Sequence, residues 1–559
     1  METFAKAHSP MLHELARTHG TPLYVYDMER IKRNFLSFKQ AFSGRKSLIC
    51  YALKANANLS ILKLLAQLGS GADCVSIGEV RRALLAGIPR YKIIFSGVGK
   101  RDDEIEEALR ENILFLNVES FEELKRIESI AKSLADSRTN PSPESTRARI
   151  SIRVNPNIDA KTHPYISTGL HENKFGVDID TAKQMYLYAH KSSMLEPVGI
   201  HFHIGSQLTD LSPLIESSHK IAQLARSLVA LGISLRFFDI GGGLGIRYED
   251  EKPIDLYAYA QGILSTLSGC DWTVICEPGR RIVGDSGLLL TQVIGQKHTS
   301  QKRFVIVDAG MNDLMRPALY GAFHQPILLG YGRDSVLGSH SPDWEHFRAV
   351  TTDKVAPTLK CSQSKQSATT TPRILEEENE KSTENQKVDS STATTLNEQA
   401  QDSRISKETS PNGERCPLFC NEKPLLFKPR KEIRLECLST QLGAEIKGLS
   451  RKAESSSAQK LTPADIVGPV CESSDVFCRD FALPEMQGGE LIGFGNAGAY
   501  GHSMSSTYNA RLRPAEVGIY TDENGAHAKL LRRAESFAES VQNELEALES
   551  NYPKTLESH

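Results

Sequence analysis

Eight short, apolar, β-rich runs recur in the first 285 residues and constrain the fold more than any other feature of the chain. They read SLICYAL, GADCVSI, KIIFSG, ILFLNV, ARISIRVN, VGIHFHIG, LRFFDIGGG and WTVICEPG. Segments with helical periodicity, such as NLSILKLLAQLG and SFEELKRIESIAKSLA, separate them. Repeated strand–helix units build parallel sheets, and eight of them predict a closed (β/α)8 barrel. An open six-stranded sheet is the alternative, which the number of strands disfavours.

After the barrel pattern, strands follow one another without helices between them. LLLTQVIGQK and QKRFVIVDAG predict antiparallel strands of a second, all-β domain, and the early run LYVYD could join them. We therefore predict a barrel at 31–284 and a β-domain built from 1–30, 285–332 and 461–525. The charged pattern at 526–559 predicts a helical extension.

The two later parts of the β-domain are separated by residues 333–460, which are crowded with Ser, Thr, Glu, Lys, Gln and Asn. Such a segment buries too little apolar surface to offset the entropy lost on ordering, so we predict a long insertion that does not fold. Within it, Cys416 and Cys420 form a C-x3-C pair without a second close pair. A zinc site would need that second pair, and we predict no metal.

Composition narrows the class of protein. The 559 residues are 40% hydrophobic and 24% charged, which is typical of a globular chain with a sizeable core. The 66 basic and 69 acidic residues nearly balance, which argues against a nucleic-acid or polybasic membrane surface. We find no signal-peptide core and no apolar run near the ~20 residues of a membrane span. Ten scattered cysteines favour reduced thiols and a cytoplasmic location.

The first barrel strand ends in CYALKAN, whose alternation points Lys54 inward together with Ala52. Reactive groups of such barrels gather at the carboxyl ends of the strands. A lysine in that position forms an ion pair, with Asp73 for example, or captures an aldehyde as a Schiff base. In GIHFHIGSQ the same alternation points His201 and His203 at the barrel axis, with His203 nearer the rim.

Two turns extend this pattern. DIGGGLG follows the seventh strand and EPGR follows the eighth, where barrels often bind phosphate. Consecutive glycines let backbone N–H groups approach an anion, while Glu277 adds a carboxylate and Arg280 a cation. A lysine for an aldehyde, a cradle for a phosphate and an acid for a ring nitrogen together suit pyridoxal phosphate.

With these residues in place, the sequence closely resembles diaminopimelate decarboxylase, a family of pyridoxal-phosphate enzymes in the alanine-racemase-like class. The shared phrases are YALKAN, HPYISTGLHENKFGV, HFHIGSQ, DIGGGLGI, EPGR, MNDLMRPALYGAFH, VGPVCESSDVF and AGAYGHSMSSTYNARLRPAEV. They cover roughly residues 20–330 and 465–520, in order. The resemblance implies an N-terminal barrel, a C-terminal β-domain and a head-to-tail homodimer with active sites shared between subunits.

The resemblance also implies roles for individual residues. The catalytic residues would be Lys54, as the Schiff-base lysine, His203 and the proton donor Cys471. The cofactor would be pyridoxal 5'-phosphate, held by Lys54, Asp73, His203, Ser206, Gly242, Glu277, Gly279, Arg280 and Tyr500. The substrate would be bound by Arg280, Arg316, Tyr320, Glu472 and Tyr500. Cys471 and Glu472 would come from the second subunit, and an ordinary thiol keeps its proton at neutral pH, as a proton donor must.

The implied reaction is the decarboxylation of meso-2,6-diaminopimelate to L-lysine and CO2, the last step of lysine biosynthesis. A decarboxylase of ornithine, arginine or carboxynorspermidine is the first alternative. Arg316 favours a substrate with a second carboxylate, and Glu472 favours one with a distal ammonium. A cofactor-binding regulator without activity is the second alternative, and the presence of both Lys54 and Cys471 argues against it.

Overall fold

The computed structural model describes residues 1–137, 147–159, 173–330 and 460–551. Apart from Lys460, the predicted insertion at 333–460 lies outside the described residues. So does most of the phrase HPYISTGLHENKFGV.

The strands fall into two sets, a barrel and a mixed sheet. The barrel strands are β2 Ser47–Ala52, β3 Gly71–Cys74, β4 Ile93–Phe95, β5 Phe115–Val118, β6 Ala148–Arg153, β7 Leu195–His201, β8 Phe237–Asp239 and β9 Thr273–Cys276. The sheet strands are β1 Leu23–Asp27, β10 Gly287–His298, β11 Arg303–Val307, β12 Pro326–Gly330, β13 Thr462–Val467, β14 Val476–Leu483, β15 Leu491–Phe494, β16 Ala515–Asp522 and β17 Gly525–Arg532.

The barrel is closed, as the sequence predicts. Strands β2 to β9 pair in parallel with their neighbours in chain order, and β9 returns to β2 with Val274 opposite Ser47. The open six-stranded alternative is therefore wrong. Because the strands are parallel, their carboxyl ends all lie at one mouth of the barrel.

Helices connect these strands and begin where the sequence supplies capping groups. They are α1 Glu2–Ala7, α2 Ser9–His19, α3 Met28–Ala41, α4 Leu59–Gln67, α5 Ile77–Leu85, α6 Asp102–Arg110, α7 Phe121–Asp136, α8 Ile179–Lys191, α9 Ser212–Ala230, α10 Leu256–Thr266, α11 Arg280–Val283, α12 Arg316–Tyr320 and α13 Phe537–Asn551. The side chains of Asn58, Ser76, Ser120, Asp178 and Asp255 each accept a backbone N–H in the first turn of the helix that follows.

The second sheet runs in the order β14-β13-β11-β10-β1-β16-β17, and β15 pairs with both β10 and β12. Its strands β10 and β11 are antiparallel, as predicted. The early run LYVYD forms β1 and pairs with β10 on one side and β16 on the other. The N-terminal strand β1 thus lies within the second sheet, between β10 and β16.

Strands β11 and β13 are parallel neighbours, with Phe304 opposite Asp465. The segments that follow them therefore leave the sheet at the same end. One segment leads into α12, and the other carries the phrase VGPVCESSDVF.

The predicted helical extension at 526–559 is wrong in its first part. Residues Gly525–Arg532 form β17, which pairs antiparallel with β16, and the helix begins only at Phe537. Gly525 has φ +105°, so the turn closes a hairpin that a side chain there would strain. Ala526 and Ala528 pack against buried residues of the sheet. Strand pairing and this packing override the helical pattern of the local sequence.

The apolar core continues from the barrel into the sheet. A second cluster, between the sheet and the N-terminal helices, includes the buried residues Leu12, Leu15, Val25, Leu290 and Val517. It fixes α1 and α2 against the sheet. Among the helices of the described ranges, none has both the length and the apolar character to cross a membrane.

Candidate active site

A cavity of about 490 Å³ lies at the mouth of the barrel. Lys54 follows β2, His203 follows β7 and Glu277 follows β9, and all three side chains line it. The sheet domain supplies further lining residues, Arg316, Tyr320, Tyr500 and Met504. The volume is that of a pocket for a small organic molecule.

Lys54 stands on a 3₁₀ turn directly after β2. Its Nζ lies 3.4 Å from Oδ2 of Asp73, which is completely buried, while 39% of the lysine side chain is exposed because it faces the open cavity. Burial acts to lower the pKa of Lys54, but the charge of Asp73, with smaller effects of Tyr500 and Glu277, raises it overall. The ion pair with Asp73 is present and the amine also lines the cavity, while the capture of an aldehyde by Lys54 stays a prediction.

Glu277 belongs to a buried cluster with His201 and Asp239, whose nearest ligand atoms all lie within 4.8 Å of one another. His201 Nε2 is 3.4 Å from Glu277 Oε2, and Glu277 Oε1 has no hydrogen-bond partner among the described residues. Burial, the largest single effect, acts to raise the pKa of Glu277, but the charge and hydrogen bond of His201 and the charges of Lys54 and His203 together lower it below its usual value. Glu277 is therefore an anion with one oxygen available to a ligand.

His203 is held by the glycine run after β8. The backbone N–H of Gly242 donates to His203 Nδ1 at 3.2 Å, which places the ring proton on Nε2. Burial and the charges of Arg153 and Lys54 lower the pKa of His203 well below its usual value, so the ring is neutral. A Cβ on Gly242 would lie 2.2 Å from the carbonyl oxygen of Glu277, so only glycine fits there.

Two buried arginines meet at the wall of the cavity. Arg280 Nη1 and Arg316 Nη1 donate to the hydroxyl oxygen of Tyr248 at 2.7 and 2.6 Å. Arg280 Nη2 also donates to Ser206 Oγ at 3.0 Å. Nε of Arg316 has no hydrogen-bond partner among the described residues. Two adjacent guanidinium groups suit an anion such as a carboxylate.

Cys471 and Glu472 lie on the loop 468–475 and are exposed. Neither is among the described residues that line the cavity. The backbone N–H of Cys471 donates to Asn509 Oδ1 at 2.9 Å, and Tyr508 Oη donates to Glu472 at 2.6 Å. These contacts fix the loop on the surface of its own chain.

Comparison with known proteins agrees with this geometry. A family model described as pyridoxal-dependent decarboxylase, pyridoxal binding domain, matches residues 28–284, and one described as pyridoxal-dependent decarboxylase, C-terminal sheet domain, matches 435–498. Diaminopimelate decarboxylase of Helicobacter pylori is 46% identical over 536 residues, which cover 96% of this chain and 98% of the relative. That of Pseudomonas aeruginosa is also 46% identical, with 94% of each chain covered. The chain belongs to the diaminopimelate decarboxylase family.

A solved structure leads to the same family. The crystal structure of diaminopimelate decarboxylase from Helicobacter pylori complexed with L-lysine matches with a TM-score of 0.68 at 45% identity. The match covers 96% of this chain and 99% of the other. The family resemblance read from the sequence, and the pyridoxal cofactor that it implies, are confirmed.

The cavity fits the cofactor of the diaminopimelate decarboxylase family. Lys54 offers an amine for the aldehyde, and the unpartnered, anionic Oε1 of Glu277 offers an acceptor for a protonated ring nitrogen. Ser206 and Arg280 add a hydroxyl and a cation at the same cavity for an anionic group.

The structure brings most of the predicted site residues of this family member to the one cavity, namely Lys54, His203, Ser206, Glu277, Gly279, Arg280, Arg316, Tyr320 and Tyr500. Asp73 and Gly242 lie behind this layer, where they contact Lys54 and His203. Cys471 and Glu472 do not join it within this chain. The roles given to all these residues stay predictions, as does the absence of a metal.

Arg153, Asp239 and Tyr248 are among the site residues that were not predicted. Arg153 lines the cavity and pairs with buried Glu119 at 3.2 Å, and Asp239 lies beside Glu277. Both end barrel strands, so the alternation that pointed to Lys54 could have found them. Tyr248 follows the glycine run, and no spacing or motif in the sequence identifies it as a site residue.

Proposed function

We propose that the protein catalyses the pyridoxal-phosphate-dependent decarboxylation of meso-2,6-diaminopimelate to L-lysine and CO2, the last step of lysine biosynthesis. The observation that carries this proposal is the pair of buried guanidinium groups, Arg280 and Arg316, in the same cavity as Lys54. Ornithine, arginine and carboxynorspermidine have no carboxylate besides the one lost as CO2, whereas diaminopimelate keeps a second one. A pair of arginines is suited to that remaining carboxylate.

When bound, pyridoxal phosphate supplies an electron-poor ring that accepts the electron pair left behind as CO2 departs. Lys54 would hold its aldehyde, since this amine lines the cavity at the end of β2. When it is not bound to the cofactor, the lysine would carry a proton, and the nearby Asp73 carboxylate would stabilise the ammonium group.

Glu277 would keep the ring nitrogen of the bound cofactor protonated. Its lowered pKa means that the carboxylate holds its charge through the reaction, and Oε1 is the acceptor. His201 supports the other oxygen from within the barrel. Burial, followed by the charge of Glu277, raises the pKa of Asp239, which favours the neutral form of this carboxyl group. Of the two carboxyl groups in the cluster, Glu277 is thus the one that favours the charged form.

His203 would pack against the ring as a neutral imidazole, since its low pKa prevents it from adding a second positive charge there. The phosphate would be held by Ser206, Gly242, Gly279 and Arg280, with Tyr500 beside it. Support for this arrangement comes from the position of the two turns after β8 and β9, where barrels of this kind bind phosphate.

Cys471 donates a proton to the substrate carbon after CO2 has left, and Glu472 binds the distal ammonium of the substrate. Both act on the cavity of a second copy of the chain. This assignment is supported by the exposed loop that carries them, which does not line the cavity of its own chain in the described residues. The functional unit is then a homodimer with two shared sites.

The enzyme acts in the cytoplasm. Every cysteine in the described part of the chain is a free thiol, as a reducing compartment requires. Biosynthesis of an amino acid from a soluble precursor suits the same location.

The test is turnover by the purified, cofactor-loaded protein. With meso-diaminopimelate it should release equal amounts of L-lysine and CO2, while ornithine and arginine should react at least about 100-fold more slowly, because they leave the arginine pair without a partner. Lys54→Ala should be inactive, and the exposed Lys46→Ala, which lies at the opposite, N-terminal end of β2, should match wild type. Faster turnover of ornithine or arginine than of diaminopimelate would refute the proposal.

A further inference from the structure

Tyr248 joins three separate parts of the chain. It lies after the glycine run of β8, Arg280 begins α11 after β9, and Arg316 begins α12 in the sheet domain. Its hydroxyl oxygen accepts from both guanidinium groups at 2.7 and 2.6 Å. The side chain is buried, with 7% of the residue exposed.

The two arginines repel each other where they meet. Burial, and also the positive charge of Arg280, lower the pKa of Arg316. The Tyr248 oxygen between them is a shared acceptor, and the ring lies 4.7 Å from the Arg316 guanidinium carbon and 5.8 Å from that of Arg280. Burial acts to raise the pKa of Tyr248, but the two cations lower it overall. The phenol therefore offsets the repulsion within the pair.

Tyr248 is itself fixed in position. Its backbone N–H donates to Glu251 Oε2 at 2.9 Å, and its ring meets the His324 ring edge to face at 5.4 Å. Burial, followed by Arg316, lowers the pKa of His324 to about 3, so that ring is neutral and adds no third cation. The phenol oxygen thus has a defined place between the two guanidinium groups.

Space for a ligand adjoins the pair. A second cavity of about 250 Å³ is lined by Tyr248, Arg280, Arg316 and Tyr320, and the last three also line the main cavity. Nε of Arg316, a side chain that is more than nine-tenths buried, has no hydrogen-bond partner among the described residues. That unused donor leaves room for a hydrogen-bond acceptor on a ligand at this end of the site.

We propose that Tyr248 is a positioning residue that holds Arg280 and Arg316 together as one clamp for the distal carboxylate of the substrate. It thereby sets the preference for ligands that carry this carboxylate. The inference rests on the proposed function, because it names what the arginine pair of that site binds and what keeps the pair in place.

The test is Tyr248→Phe, which keeps the ring and removes only the shared oxygen. KM for meso-diaminopimelate should rise about tenfold with kcat within about twofold of wild type, because one hydrogen-bond acceptor of two cations is lost. L-lysine, which retains the distal carboxylate, should inhibit about tenfold more weakly. Inhibition by 1,5-diaminopentane, which has no carboxylate, should stay unchanged.

Two controls separate positioning from general damage. Tyr257→Phe removes a hydroxyl from a tyrosine that is 66% exposed and should leave every constant unchanged. In an Arg316→Lys background, Tyr248→Phe should raise KM by less than about threefold, because the clamp is already broken. An unchanged KM in Tyr248→Phe, or equal weakening of both inhibitors, would overturn the inference.

The role of Tyr248 can also be tested if the proposed function is wrong. If wild type does not turn over meso-diaminopimelate, calorimetric binding of L-lysine and 1,5-diaminopentane to the cofactor-loaded protein replaces kinetics. Loss of affinity for L-lysine alone in Tyr248→Phe would still support the clamp. Equal affinities of wild type and variant for L-lysine would refute it.

Discussion

The carboxylate of Asp475 accepts a hydrogen bond from the backbone N–H of Val470 at 2.7 Å, one residue before Cys471. Its other oxygen accepts from the backbone N–H of Met311, also at 2.7 Å. One buried carboxylate thus joins the loop 468–475 to the loop that leads into Arg316. The two loops meet because β11 and β13 are parallel neighbours.

Replacing Asp475 by Asn should therefore disturb the loop that carries Cys471. The asparagine amide places an N–H group opposite one of the two backbone N–H donors, so one of the two hydrogen bonds is lost. We expect kcat to fall at least about tenfold and the protein to lose about 1–3 kcal/mol of stability. Cofactor content should not change, because Lys54 and Glu277 belong to the barrel. Asp480→Asn is the control, since that side chain is 73% exposed. Wild-type kcat in Asp475→Asn would show that the bridge does not position the loop.

Borohydride reduction of the cofactor-loaded protein should attach the cofactor to Lys54 and to no other lysine. Lys54 faces the cavity, whereas buried Lys100 is engaged by Glu123, Gly97 and Asn117 at 2.7 Å each and serves as an internal control. Peptide mass spectrometry reads the result, and Lys54→Arg should abolish the labelling. A labelled peptide that lacks residue 54 would show the assignment to be wrong.

Mixing two inactive variants tests the shared site. Lys54→Ala and Cys471→Ala should each be nearly inactive as homodimers. After subunit exchange about half of the dimers are mixed, and each mixed dimer has one intact site, so activity should return to roughly a quarter of wild type. Mass spectrometry of the intact dimers verifies the exchange. Absence of recovery in proven mixed dimers would mean that both residues act within one chain.

Asp313 should make stability fall as pH rises. Burial, the largest effect, raises the pKa of Asp313 to about 7. The backbone hydrogen bond from Gly310 and the charge of Arg511 oppose this rise, and Asp308 and Asp475 add to it. In the unfolded chain the same group loses its proton near pH 4, so from about pH 4 to 7 a rising pH favours unfolding. We therefore expect the free energy of unfolding of Asp313→Asn, relative to that of wild type, to increase by about 2–3 kcal/mol between pH 5 and 8.

Thermal unfolding of both proteins across that pH range measures the difference. The control is Asp271→Asn, at a side chain that is 88% exposed. Its difference in stability from wild type should be the same at every pH. A constant difference for Asp313→Asn would mean that this carboxyl is already ionised at pH 5 in the folded protein.

Local pattern predicted much of this fold. The barrel strands and the antiparallel pair β10 and β11 were predicted because a strand with one buried face has alternating apolar residues, and a strand with two buried faces has a continuous apolar run. Prediction from the local apolar pattern failed at Gly525–Arg532, where a sequence with a helical pattern forms the edge strand β17. That outcome depends on a neighbouring strand whose presence the segment itself does not encode.

The sequence by itself determined the barrel, the family and the set of residues gathered at the strand ends, because strand alternation and chain order fix which side chains point inward and at which end. Only the tertiary structure decided how those side chains meet. Tyr248 bridges Arg280 and Arg316, which lie 32 and 68 residues further along the chain. Asp475 ties its own loop to Met311, and Glu277 keeps its charge because His201 and Lys54 surround it. Hydrogen bonds and charges act over a few ångströms, and distance in space is what a linear pattern does not contain.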